Sequence, residues 1–90
     1  MDKQKLETLL KELHAELGRA EAVDEASRAA LHDLSKEIRD LLKRGEHERR
    51  AGYRSLLDRL NESIVQFEGA HPTLALAITQ VINALVDIGV

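Results

Sequence analysis

The carboxyl-terminal stretch constrains the fold of this chain more than any other segment does. It reads HPTLALAITQVINALVDIGV, from His71 to Val90, and after its proline it carries one charged residue, Asp87. Apolar residues that recur at three- and four-residue steps lie on one face of a helix. The residues with this spacing are Leu74, Ile78, Val81, Ile82, Leu85 and Ile88. The sequence therefore predicts a fourth and last helix over about 73–88.

This last helix is apolar well beyond one face. The residues that widen its apolar arc are Leu76, Ala77, Ala84 and Val86. A helix that is apolar over most of its circumference must be buried on most sides. A membrane span is not favoured, because it needs about 20 apolar residues. This stretch is shorter, and Gln80, Asn83 and Asp87 interrupt it.

Two ways of burying the last helix remain open. The other helices could wrap it inside one molecule, or one side could pack on its own chain and the other on a second chain. We favour the second, because three narrow apolar stripes do not easily enclose a fourth helix. A dimer of this chain is the first expectation and another protein the alternative. The interface is predicted to include Leu76, Val81, Leu85, Val86, Ile88 and Val90.

The first three segments carry the narrow stripes of amphipathic helices, predicted at about 3–20, 24–44 and 48–68. The first stripe consists of Leu6, Leu9, Leu10, Leu13 and Leu17. The second consists of Leu31, Leu34, Ile38 and Leu41, and the third of Tyr53, Leu57, Leu60, Ile64 and Phe67. The chain is therefore predicted to be all-α, an antiparallel bundle of three to four helices that self-associates through its last helix.

The helix boundaries rest on cap residues and on the register of the stripes. Asp2 and Asp24 are predicted N-caps. Pro72 suits a first helical turn, with His71 or Thr73 at the cap. The second and third stripes are out of register by two residues, roughly 200° around a helix. A break within GEHERRAG is therefore favoured, and one long helix is the alternative.

Size and composition limit the possible classes of protein. Ninety residues are one domain, residues 1–90, and no cysteine is present for disulfides, thiolate metal sites or thiol nucleophiles. The net charge of -3 argues against general nucleic-acid binding. The charged start MDKQKLETLLKEL lacks the apolar run of a signal peptide, so a cytoplasmic location is expected.

Four stretches resemble one family of small proteins. They are LETLLKELHAEL, VDEASR, YRSLLDRL and HPTLALAITQVINALVDIGV. Together they resemble the bacterial domain of unknown function DUF4404 over essentially the whole chain. The most specific part is the ending, with His71–Leu74, Ala84–Leu85 and Ile88–Val90. The resemblance implies a bacterial, stand-alone, soluble helical protein. It implies no catalytic residue, since such a family has no assigned activity.

No constellation of a known chemistry stands out. Glu68 and His71 have the i, i+3 spacing of carboxylate-bridged di-iron bundles, but those need a second such motif and further glutamates. His14, His32 and His47 have no histidine three or four residues away. Ser27, Ser35, Ser55 and Ser63 lack a glycine elbow. No metal, cofactor, small-molecule substrate or enzymatic activity is therefore expected.

An arginine-rich stretch over 44–59 supplies the alternative function. Its arginines are Arg44, Arg49, Arg50, Arg54 and Arg59, while Glu46, Glu48 and Asp58 offset part of their charge. Arginine forks suit phosphates and acidic partners. The main hypothesis is a non-enzymatic interaction or structural protein that acts through the last helix. The alternative is an accessory nucleic-acid or acidic-partner binder that uses Arg44, Arg49, Arg50 and Arg54. If the stretch binds nothing, it is a solvent-exposed face with i, i+4 ion pairs such as Arg54–Asp58.

Overall fold

The structure is a computed structural model that describes residues 3–21 and 24–90, and in these ranges it is helical without a strand. The helices are α1 (Lys3–Arg19), α2 (Glu25–Lys43), α3 (Glu46–Phe67) and α4 (Pro72–Asp87). The predicted all-α fold class is confirmed, and the predicted boundaries agree to within two residues, while self-association through the last helix stays a prediction. The predicted cap Asp2 lies outside the described residues.

The four helices form an antiparallel bundle in which each helix contacts two neighbours. The helix α1 packs against α2 and α4, and α3 packs against the same two helices. The molecule measures 36 × 21 × 19 Å. A helix of 22 residues such as α3 is about 33 Å long, so it must run along the long axis. The short connections then reverse the direction of the chain at each end.

The core is built from one face of each helix, as the periodicity predicts. The fully buried large side chains are Leu6, Leu10, Leu13, Leu34, Ile38, Leu56, Leu60, Phe67, Ile78, Val81 and Leu85. The predicted positions Leu9 and Ile64 lie at the edge of this core and are half-buried. Because aliphatic side chains dominate, the core depends on close packing of leucine and isoleucine around a single phenylalanine.

The second and third helices are separate, as the register of their stripes predicts. Arg44 and Gly45 are extended, with ψ angles of 154° and 159°, and they divide α2 from α3. The alternative of one long helix is therefore wrong. Gly52 lies close to the end of α2, and a Cβ atom there would approach Cδ2 of Leu41 to 2.6 Å. The absence of a side chain at Gly52 thus allows α3 to pass close to α2.

The predicted cap of α2 is confirmed. Asp24 is the N-cap, and its Oδ1 accepts a hydrogen bond of 2.8 Å from the backbone N–H of Ser27. This bond, followed by one to the Ser27 side chain, lowers the pKa of Asp24 below its ordinary value.

At α4 the N-cap is His71, with no cap hydrogen bond from its side chain, and Pro72 stands in the first turn.

The last three residues close α4 with a Schellman motif. Gly89 has a φ of +91°, a conformation that glycine adopts without steric cost. The N–H of Gly89 donates to the carbonyl of Val86 at 3.0 Å, and the N–H of Val90 donates to the carbonyl of Leu85 at 3.1 Å. The motif is commonly accompanied by an apolar contact of its last residue with the helix, and Val90 packs against the core.

Candidate interaction surface on helix four

The neighbouring helices cover two flanks of α4. It packs between α1 and α3, and its buried residues are Leu74, Ala75, Ile78, Val81, Ala84 and Leu85. The exposed residues form a strip on the outward side, which we call the outer strip of α4. The outer strip consists of Pro72, Thr73, Leu76, Gln80, Asn83, Val86 and Asp87. Most of the apolar character of α4 is therefore used inside the molecule.

The six predicted interface residues divide into three groups. Val81 and Leu85 are fully buried in the core, so they belong to no exposed surface, and the prediction must be corrected at these two positions. Ile88 and Val90 are half-buried and pack against the same core, as the closing turn of α4 requires. Leu76 and Val86 are exposed, by 60% and 57% of their surface.

A groove runs between α1 and α4, and Leu76 lies in its lining. Its volume is about 290 Å³. It is lined by Glu12, Ala15, Glu16 and Arg19 from α1, and by Thr73, Leu76, Ala77 and Gln80 from α4. We call this surface the α1–α4 groove. Ala15 and Ala77 each contribute a single methyl group, which leaves the space between the two helices unfilled.

The charges along the α1–α4 groove are unevenly paired. Arg19 donates from Nη2 to Oε1 of Glu16 at 2.7 Å, and the Arg19 side chain is largely exposed. Glu12 makes no ion pair within residues 3–21 and 24–90, and it is exposed. The groove therefore has the unpaired carboxylate of Glu12 towards one end. Towards the other end it has the guanidinium of Arg19, which donates one hydrogen bond to Glu16.

Arg49 has a structural role that the sequence did not reveal. Its Nε donates to the carbonyl of Leu41 and its Nη2 to the carbonyl of Leu42, both at 2.9 Å. The same Nη2 lies 3.2 Å from Oε1 of Glu7 on α1. The guanidinium thus satisfies carbonyls in the last turn of α2 and joins three helices. An arginine four residues into a helix that follows a two-residue connection is the signal that could have indicated this contact.

The other arginines of the 44–59 stretch do not converge on one site. Arg44, Arg50 and Arg54 are exposed. Arg54 lies 3.8 Å from Asp58, which confirms the predicted i, i+4 pair. Arg59 makes a short ion pair, 2.6 Å, with Glu37 on α2. With Arg49 turned inwards, the predicted set of four anion-contacting residues is reduced to three at the surface.

A groove of about 530 Å³ between α2 and α3 has charges of both signs. It is lined by Asp33, Lys36, Glu37, Asp40, Leu41, Arg44, Gly52, Ser55 and Arg59. The ion pair between Glu37 and Arg59 occupies part of the lining. The mixture of acids and bases indicates no single class of ligand.

The histidines form no metal site in the part of the chain that the structure describes, where no group of three His, Cys, Asp or Glu side chains could hold an ion. His71 packs edge to face on Phe67, with ring centroids 6.0 Å apart. Its Nε2 atom is buried and has no hydrogen-bond partner among the residues that the structure describes. His71 therefore contributes to packing at the start of α4.

No described helix combines the length and the apolar character that crossing a bilayer requires.

Comparison with known proteins identifies a family. Searches of curated proteins and of solved structures both found no match. A family model, described as a domain of unknown function (DUF4404), matches residues 6–90, which include all the described helices almost completely. The resemblance noted in four stretches of the sequence is thereby confirmed, and the chain belongs to the DUF4404 family.

Proposed function

We propose that this protein is a non-enzymatic interaction or structural protein that binds another protein chain through the outer strip of α4, with a second copy of itself as the first candidate. The observation that carries the proposal is the exposure of Leu76, 60% of whose surface faces solvent beside the α1–α4 groove. Val86, the other large apolar residue of the strip, is exposed to a similar extent.

The gain from covering these side chains is moderate. Full burial of a leucine or valine contributes roughly 1.5–3 kcal/mol. Leu76 and Val86 are already partly covered, so each would contribute about half of that range. Gln80, Asn83 and Asp87 lie in the same strip and need polar partners. The association is therefore expected to be weak and reversible, with a dissociation constant in the micromolar range or above.

Sedimentation equilibrium over a wide concentration range tests the proposal. The wild-type chain should associate as its concentration rises, and Leu76→Lys should shift the equilibrium to the monomer because it places a charge in the apolar contact. Val65→Lys is the matched control, since Val65 is 75% exposed on α3. Circular dichroism establishes that each variant is folded. A wild-type chain that stays monomeric at high micromolar concentration and binds no protein from its native host contradicts the proposal.

The anion-binding alternative has less support. Arg49 is bound to carbonyls of α2 and to Glu7, and Arg54 lies beside Asp58. Phosphate contacts by Arg44 and Arg50 would weaken as salt rises, because binding releases counterions. Filter binding at low and high salt separates this alternative from protein association.

The cytoplasmic location and the bacterial origin expected from the sequence stay predictions.

A further inference from the structure

We propose that the partner is a second copy of this chain, which docks on the α1–α4 groove about a twofold axis perpendicular to the helices. This inference rests on the proposed function and specifies which flank of α4 is used. The two helices present matching sets of residues to the groove, at positions i, i+3, i+4 and i+7. They are Glu12, Ala15, Glu16 and Arg19 on α1, and Thr73, Leu76, Ala77 and Gln80 on α4.

The positions of the two sets of residues along the bundle axis indicate where the twofold axis passes. Because α1 and α4 are antiparallel neighbours, the middles of the two sets lie at one level. Leu76 is at the middle of its set, while Glu12 and Arg19 lie at opposite ends of theirs. Seven residues separate Glu12 from Arg19, which is about 10 Å along a helix. An axis through the middle of the groove is therefore flanked by Glu12 on one side and Arg19 on the other. Glu16 lies within about 1 Å of the level of the axis, and its hydrogen bond from Arg19 offsets its charge there.

A twofold axis at this place makes the surface complementary to itself. It sets α1 antiparallel to α1 of the second copy, and α4 antiparallel to α4 of the second copy. Leu76 then meets Leu76 of the second copy near the axis, above the space left by the alanines. Glu12, which is unpaired in the described chain, faces Arg19 of the second copy, and the same contact occurs twice. Arg19 has free N–H groups for it, since a guanidinium carries five donors.

The size of the surface agrees with a weak dimer. A helix of 17 residues such as α1 is about 25 Å long, and two helices side by side are about 20 Å wide. Such a face covers about 500 Å² on each copy, or about 1,000 Å² in total, which is at the lower end for a specific interface. A dissociation constant in the micromolar range is the expected result.

The position of Val86 distinguishes this contact from others on α4. Ten residues separate Val86 from Leu76, which places it about 80° around the helix. The groove residues Thr73, Ala77 and Gln80 lie on the other side of Leu76, about 40–100° away in the opposite sense. Val86 therefore lies towards α3 and outside the proposed contact. Substitution of Val86 should affect dimerisation much less than substitution of Leu76.

Charge reversal tests the register of the two copies. Glu12→Arg and Arg19→Glu each replace two attractive contacts by two repulsive ones, so each should weaken the dimer about tenfold. The double variant restores both contacts with reversed polarity and should return the dissociation constant to within a few-fold of the wild-type value. Glu62→Arg, at an exposed position of α3, is the control and should have no effect. Single variants that weaken the dimer without rescue in the double variant overturn the register.

Cysteine cross-linking gives an independent measurement. The chain has no cysteine of its own, so one introduced thiol reports on one position. Leu76→Cys should form a disulfide between two copies rapidly, since the axis brings the two Cα atoms within disulfide reach. Val86→Cys and Val65→Cys should cross-link only at the slow rate of random collisions. Equal rates for the three variants contradict the proposed contact.

The outcomes also separate this inference from the proposed function. A dimer that is weakened by Val86→Lys but not by Glu12→Arg or Arg19→Glu overturns the α1–α4 contact and leaves association through α4 in place. A dimer that neither Leu76→Lys nor Val86→Lys weakens overturns both. A chain that stays monomeric overturns the second copy as partner, and capture of a different protein through Leu76 would then support the proposed function alone.

Discussion

Removal of the Arg49 guanidinium should destabilise the bundle far more than removal of any neighbouring arginine. Arg49 donates to the carbonyls of Leu41 and Leu42, which lie in the last turn of α2. The last four carbonyls of a helix have no partner within the helix. The side chain of Arg49 is only 13% exposed, so water replaces these bonds poorly in Arg49→Ala. The carbonyl of Leu41 keeps the backbone N–H of Arg44 at 3.1 Å, so the variant chiefly leaves the carbonyl of Leu42 without its hydrogen bond.

The expected magnitude follows from the separate contacts of Arg49. Hydrogen bonds to a charged group contribute about 1.5–3 kcal/mol, and a positive charge at a helix carboxyl end contributes about 0.3–1 kcal/mol. The ion pair with Glu7 adds little, because the Glu7 carboxylate is 37% exposed and screened. Arg49→Ala should therefore lower the free energy of unfolding by about 2–4 kcal/mol. For a domain of this size, that lowers the melting temperature by roughly 10–25 °C.

Urea denaturation followed by circular dichroism measures this loss. Arg50→Ala is the matched control, because Arg50 is adjacent in sequence and exposed. It should change the free energy of unfolding by about 0.5 kcal/mol or less. Arg49→Lys should fall between the two, since it keeps the charge but loses the fork that reaches two carbonyls. The reasoning is refuted if Arg49→Ala and Arg50→Ala have the same midpoint of unfolding.

The remaining predictions concern Gly52 and the cap of α2. Gly52→Ala should destabilise the protein by about 0.5–2 kcal/mol, because the new Cβ would come 2.6 Å from a methyl group of buried Leu41 and the higher helix propensity of alanine offsets only part of that strain. Gly18→Ala, in open space in the last turn of α1, should be neutral or slightly stabilising, and urea midpoints that place the two in the reverse order contradict this. Because the pKa of Asp24 is lower in the folded state than its ordinary value of 3.8, the ionised carboxylate stabilises the fold at pH values above 3.8. This stabilisation is lost as the pH falls through the folded-state pKa. The stability of the wild type relative to Asp24→Asn, which caps without titrating, should therefore decline in acid, and a difference that does not depend on pH would be evidence against the cap bond.

The sequence predicts the elements of this fold well because their signals are local. The stripe of α1 and the cap at Asp24 each depend on residues within a few positions of one another. The two-residue offset between the stripes of α2 and α3 placed the break between these helices. Such features need no knowledge of which helices are neighbours, and the structure confirms them.

The surface of α4 was harder to predict because apolar periodicity does not identify neighbours. Val81 and Leu85 are apolar, and only the packing of α4 between α1 and α3 shows that both are used inside the chain. Gly89, one position before the last residue, was a signal for the closing turn that brings Val90 against the core. The role of Arg49 depends on how the two-residue connection turns the start of α3 back beside the end of α2, and the geometry of that turn does not follow from the apolar stripes.

The seam between α1 and α4 joins the parts of the chain that are farthest apart in sequence. Contacts of large separation form late in folding, since the closure of a long loop costs entropy before the contact stabilises it. Until that moment α4 is covered only by α3, its neighbour in sequence, and its side towards α1 is exposed. The α4 helix of a second, partly folded molecule can pack against α1 instead. Domain swapping of α4 between two chains is therefore the misassembly expected for this topology.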